Sequence, residues 1–96
     1  MAEAEIEVRN PSGLHARPAA AFVRASSAFG ADIMLTNLTR DASRAASAKS
    51  VLGVMGLAVA CGHRIRIVAE GPDADDAIAS LSELVSSGLG EAIDGA

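Results

Sequence analysis

Three stretches of this chain change chemical character at every second residue, and two others change it with the period of a helix. In "AEIEV", Ala4, Ile6 and Val8 fall on one face and Glu3, Glu5 and Glu7 on the other. "DIMLTNL" puts Ile33 and Leu35 together, and "HRIRIVAEG" sets Ile65, Ile67 and Ala69 against Arg64, Arg66 and Val68. Such alternation predicts strands with one buried and one wet face. From Ala16 the period turns helical, with Phe22, Ala25 and Phe29 on one side and Gly30 as a natural stop. The same pattern returns at Ala74, Ala77, Ile78, Leu81, Leu84 and Val85, with Gly88 ending it. There Asp73, Asp75 and Asp76 crowd the positive end of the helix, a spacing that helix capping explains. Ser50 is placed as an N-cap before an apolar run in which Gly53 and Gly56 keep any helix short. A polar loop leads into a short strand near Arg44 to Ser47. The order is strand, helix, strand, strand, short helix, strand, helix. One-sided strands and one-sided helices predict an antiparallel sheet covered on one face only.

Ninety-six residues without a repeat or linker are expected to form one domain over 1–96. Phe22 and Phe29 are the only aromatics, so base stacking has little to work with, and the net charge of −4 opposes a phosphate backbone. No nucleic-acid partner is expected. Cys61 is the single cysteine, which rules out an internal disulfide and a cysteine metal cluster. The acidic start is unlike a signal peptide, and no apolar run reaches membrane-spanning length. A cytoplasmic protein without membrane insertion is expected.

"GLHARPAAAFVRAS" sets His15, Arg17 and Pro18 at a helix start. The first-turn amides of a helix lack partners inside it, and the dipole there is positive, so the spot attracts anions. Arg17 adds a guanidinium that holds two phosphate oxygens at once, and Pro18 stiffens the turn. Gly13 allows a sharp bend, and Ala16 and Ala19 leave room for close approach. The cationic setting favours a neutral imidazole whose ring nitrogen is a nucleophile. Spacing and chemistry alone leave three readings open: a helix cap, an anion-binding site, or a histidine that itself carries a phosphoryl group.

"SGLHARPAAAFV" resembles the active-site segment of HPr, the histidine-containing phosphocarrier family of the bacterial sugar phosphotransferase system. "AKSVLGVMGLAV", "GHRIRIVAEGPDADDAI" and the closing "GLGE" extend the resemblance over essentially the whole chain. It implies an α+β open-faced β-sandwich: a four-stranded antiparallel sheet covered by two long helices and one short one. By this resemblance, His15 accepts phosphoryl on Nδ1 from enzyme I, itself charged by phosphoenolpyruvate. His15 then passes the group to IIA domains of sugar permeases, in a stoichiometric carrier rather than an enzyme. Arg17 stabilises the phosphate, and Ser12, Ala16 and Pro18 support the site. Ser50 matches a serine phosphorylated in many Gram-positive relatives by a dedicated HPr kinase/phosphorylase, which also implies a transcriptional regulator as partner. Val51, Leu52 and Met55 resemble the apolar docking patch, and Arg24 adds positive charge for acidic partners. No metal or cofactor is implied, and a monomer is expected. "TNLTRDASRAAS" is a few residues longer than in the simplest members. Similar loops occur in HPr-like domains of multi-domain phosphoryl-transfer proteins. The alternatives are therefore a regulatory module, or a paralogous relay serving nitrogen control or dihydroxyacetone phosphorylation. Outside these segments His63 reads as a turn residue, Cys61 as a small buried hydrophobe, and Arg64 and Arg66 as a wet strand face.

Overall fold

The computed structural model describes residues 1–91; residues 92–96 of the expected 1–96 domain lie outside the described residues. The elements run β1 (Ala2–Glu7), α1 (Ala16–Ser27), β2 (Asp32–Asn37), β3 (Ala45–Ser47), α2 (Val51–Gly56), β4 (Arg64–Glu70) and α3 (Ala74–Ser86). The sheet order is β1-β4-β2-β3, with every pairing antiparallel. Register places Ile6 beside Ile65 and Leu35 beside Ile67, so one face gathers the β-branched and aliphatic side chains. Ile33, Leu35, Ile65, Ile67 and Ala69 are buried under Phe22 of α1 and Leu81 and Val85 of α3. Each fully buried large side chain contributes about 1.5–3 kcal/mol. The opposite face is wet, as the alternation predicts. There Glu5 lies 3.7 Å from Arg64 and 3.6 Å from Arg66, surface pairs worth on the order of 0–1 kcal/mol.

Helix α3 closes as expected at Gly88. The Gly88 N–H donates to Val85 O and the Leu89 N–H to Leu84 O, and Gly88 takes a left-handed φ of 96°. Gly30 does not stop α1. The helix ends at Ser27 with Ala28 as its cap, and the Gly30 N–H instead donates to the Asp73 carboxylate at 2.8 Å. Asp73 is likewise not a side-chain cap for α3. Its two oxygens accept from Gly30 N and Ala31 N, pinning the end of α1 to the start of α3. The Gly30 and Ala31 amides, helped by Lys49, hold its carboxyl below the ordinary value of 3.8. A carboxyl depressed in the fold stabilises it above 3.8 and loses that contribution as pH falls through the lower folded value. Asp73→Asn is therefore expected to lower the urea midpoint at neutral pH and to flatten its decline below pH 3.8.

Cys61 is exposed rather than buried, its thiol 3.4 Å from Arg9 O. The apolar run ends sooner than it reads: α2 stops at Gly56, Val59 is the last buried residue, and 60–62 form a surface turn. His63 does belong to that turn. Its Nδ1 lies 3.1 Å from Ala60 N and 3.1 Å from Asn37 Nδ2, both donors, which puts the ring proton on Nε2.

Candidate functional site

The chain leaves β1, bends at Pro11–Gly13 and enters α1 at His15. Gly13 makes the bend possible with φ 59°, its N–H donating to Asn10 O at 3.1 Å. Leu14 N donates to Val59 O at 3.0 Å and its side chain is buried, anchoring the loop against the segment after α2. His15 is then extended (φ −136°, ψ 150°), and Ala16 turns the chain into the helix from a left-handed φ of 54°. A non-glycine residue in that region costs about 1–2 kcal/mol, and it persists because Leu14 and Pro18 on either side are buried.

His15, Ala16 and Arg17 are exposed, whereas Pro18 and Ala19 are buried. The His15 side chain makes no capping hydrogen bond, and the first turn of α1 contains no acidic residue. That removes the helix-cap reading. Arg17 makes no ion pair among the described residues. Arg17 and Arg24, seven positions apart on α1, line an open groove of about 290 Å³ whose far wall is Leu89, Gly90 and Glu91. Among the described residues no three or more His, Cys, Asp or Glu side chains converge as a metal site.

Two residues of this site, Asn10 and Glu91, are given no role by the sequence alone. The Ser12 N–H donates to Glu91 Oε1 at 3.0 Å and the Ser12 hydroxyl to Oε2 at 2.8 Å. The fully buried Asn10 donates from Nδ2 to Glu91 Oε1 at 3.0 Å and to Gly13 O at 2.9 Å. The Asn10 and Ser12 donors, with the Arg17 charge nearby, hold the Glu91 carboxyl below its ordinary value of 4.5. The closing "GLGE" hinted at Glu91, but nothing local links it to partners 79 and 81 residues away.

Ser50, Val51, Leu52 and Met55 sit together on α2. The Ser50 hydroxyl accepts from Gly53 N at 3.0 Å, the expected N-cap bond. Ser50→Ala is expected to destabilise the fold by about 1 kcal/mol, read from the urea midpoint. Val51 is 42% and Leu52 84% exposed, Met55 is partly buried against the core, and Val54 is the residue that enters it. Leu52 in particular has no packing role that would explain so large an apolar side chain in water.

The family model described as "PTS HPr component phosphorylation site" matches residues 2–87. The chain belongs to the HPr family. Members of this family are phosphocarriers of the phosphotransferase system. HPr from Treponema pallidum is 44% identical over 79 residues, covering 82% of this chain and 85% of its own. The HPr-C-His structure from Thermoanaerobacter tengcongensis superposes with a TM-score of 0.89 at 40% identity, covering 97% of this chain and 100% of that one. The multiphosphoryl transfer protein of Haemophilus influenzae is 49% identical over 84 residues and 88% of this chain. The chain spans 17% of that protein's length and 23% of the Escherichia coli O157:H7 multiphosphoryl transfer protein. Among the described residues no helix is long and apolar enough to cross a membrane.

Proposed function

We propose that this HPr-family chain carries a phosphoryl group on Nδ1 of His15, taken from phosphorylated enzyme I and passed to a IIA domain. The observation that carries the reading is an exposed, uncapped His15 at the start of α1, two residues from the exposed Arg17. When His15 accepts, its Nδ1 lone pair forms the bond to phosphorus while the donor–phosphorus bond breaks and its electron pair leaves with the donor. When His15 donates, the acceptor's nucleophile forms the new bond while the Nδ1–phosphorus bond breaks and its pair returns to Nδ1. Nε2 keeps its proton. Arg17 and the first-turn amides neutralise charge on the phosphoryl oxygens. Ser12, Ala16 and Pro18 shape the loop that presents the ring.

The exposed Val51 and Leu52, with Met55 and Arg24, form the docking surface for the partners. Ser50 at the rim of that surface is a regulatory phosphorylation site, where a dianion would repel acidic partners while the helix start tolerates it. The test is intact mass after incubation with phosphoenolpyruvate and enzyme I, beside His15→Ala. One acid-labile, base-stable phosphoryl group on the natural chain and none on the variant is the expected result. An unmodified natural chain overturns the reading.

A second reading concerns the downstream acceptor. The long β2–β3 connection and the 49% identity to a multiphosphoryl transfer protein favour a relay within a multi-domain system. Presenting the phosphorylated chain to general IIA domains and to that protein class separates the two by transfer rate.

A further inference from the structure

The Ser12 amide and hydroxyl point their hydrogens at one anion, and that anion is already present: the carboxylate of Glu91. Carboxylate and phosphoryl oxygens make the same demand on such donors. The Asn10 carboxamide shows how firmly the arrangement is set. Both its N–H groups donate, to Gly13 O and Glu91 Oε1, while its buried Oδ1 has no partner among the described residues. Turning the amide over would press Oδ1 against two acceptors, so Gly13 O and Glu91 fix the orientation even though Oδ1 is left unpaired among the described residues. Glu91 is delivered by the turn that ends α3, its own N–H donating to Gly88 O at 2.9 Å. Arg17 lines the same groove as Glu91.

We propose that Glu91 is an internal placeholder for the phosphoryl group, held on the Ser12 donors by Asn10, so that closure of this latch and phosphorylation of His15 oppose each other. The antagonism presupposes that His15 is the carrier. A phosphoryl group brings close to two negative charges to a site where the Ser12 donors already serve one carboxylate and the Arg17 charge lies nearby. It competes for Arg17 and Ser12 and repels Glu91. Because the coupling is reciprocal, a latch that phosphorylation opens must make the phosphorylated state less stable by the same factor. The carrier is thereby a readier donor, and 88–91 is the part of the surface that differs between its two states.

The measurement is the equilibrium constant for phosphoryl exchange between enzyme I and the full chain, with Glu91→Gln and Asn10→Ala as variants. Glu91→Gln removes the competing charge, and Asn10→Ala removes the amide that holds Glu91 in place without adding a charge. Both are expected to shift the equilibrium toward the phosphorylated carrier by about five-fold or more. In the natural chain, phosphorylation is expected to move the Ser12 amide resonance toward its position in Glu91→Gln. Normal phosphorylation with both equilibria within two-fold of the natural chain, or shifted the other way, overturns the latch alone. If Asn10→Ala does not fold, Glu91→Gln and the Ser12 resonance decide. A natural chain that never acquires phosphohistidine overturns the carrier reading, and the antagonism with it.

Discussion

Gly13→Ala is expected to destabilise the protein by about 3–5 kcal/mol, far more than deletion of most surface side chains. The added Cβ would lie 2.2 Å from Val59 O and 2.8 Å from Ala60 Cα. Both are backbone atoms, so no side chain can swing aside. The residue also holds φ 59°, which alanine adopts at a penalty of about 1–2 kcal/mol. Moving the loop away from Val59 breaks the Leu14 N–Val59 O bond and strains the Asn10–Gly13 pair, each worth about 1 kcal/mol. Gly56→Ala is the contrasting case. It lies in α2 with nothing within 4 Å of the new Cβ, and is expected to stabilise by about 0.5–1 kcal/mol. Urea denaturation of the two variants reads both effects. If Gly13→Ala unfolds near the natural midpoint, the loop is not held against Val59 as described. Its effect on function follows from the same displacement, since His15 is two residues further on and depends on Leu14 for its position.

Legibility was uneven for physical reasons. Strand β4 was readable because each of its side chains answers only to which face it occupies, and the alternation from Arg64 to Glu70 records that directly. The order of elements and the one-sided covering followed from the same local signals. Gly30 was misread because its N–H is taken by Asp73, 43 residues later, and not by the helix it follows. Cys61 was misread because hydropathy does not reveal where the chain leaves the core. The histidine loop was legible as a candidate anion site from four adjacent positions. Glu91 was not, since a carboxylate near the end of the chain acquires meaning only when α3 brings it beside Ser12. Local chemistry is written in the sequence, whereas chemistry assembled across 79 residues is written in the packing.

Arg17→Ala is expected to slow phosphoryl transfer to and from His15 by about 10²–10³-fold, the usual loss when one preorganised donor to a developing anion is removed. Arg17→Lys should recover only part of the rate, because an ammonium supplies charge without the two-pronged geometry of guanidinium. Neither change should move the urea midpoint much, since Arg17 is exposed and makes no ion pair among the described residues. Rapid-quench measurement of phosphohistidine formation gives the rates. A second readout separates an electrostatic role from mere contact: losing Arg17 should raise the Glu91 carboxyl back toward 4.5, because the guanidinium is one of the groups depressing it. The hydrogen bonds from Asn10 and Ser12 remain and keep that rise partial. Arg24→Ala should behave differently. Arg24 lies beyond the reach of the first-turn amides, and under the proposed docking role its loss should lower the encounter rate with acidic partners and its salt dependence while sparing the transfer step. Equal losses from the two arginines at saturating partner would mean that Arg17 acts in docking, and that His15 relies on the helix amides alone to hold its phosphoryl group.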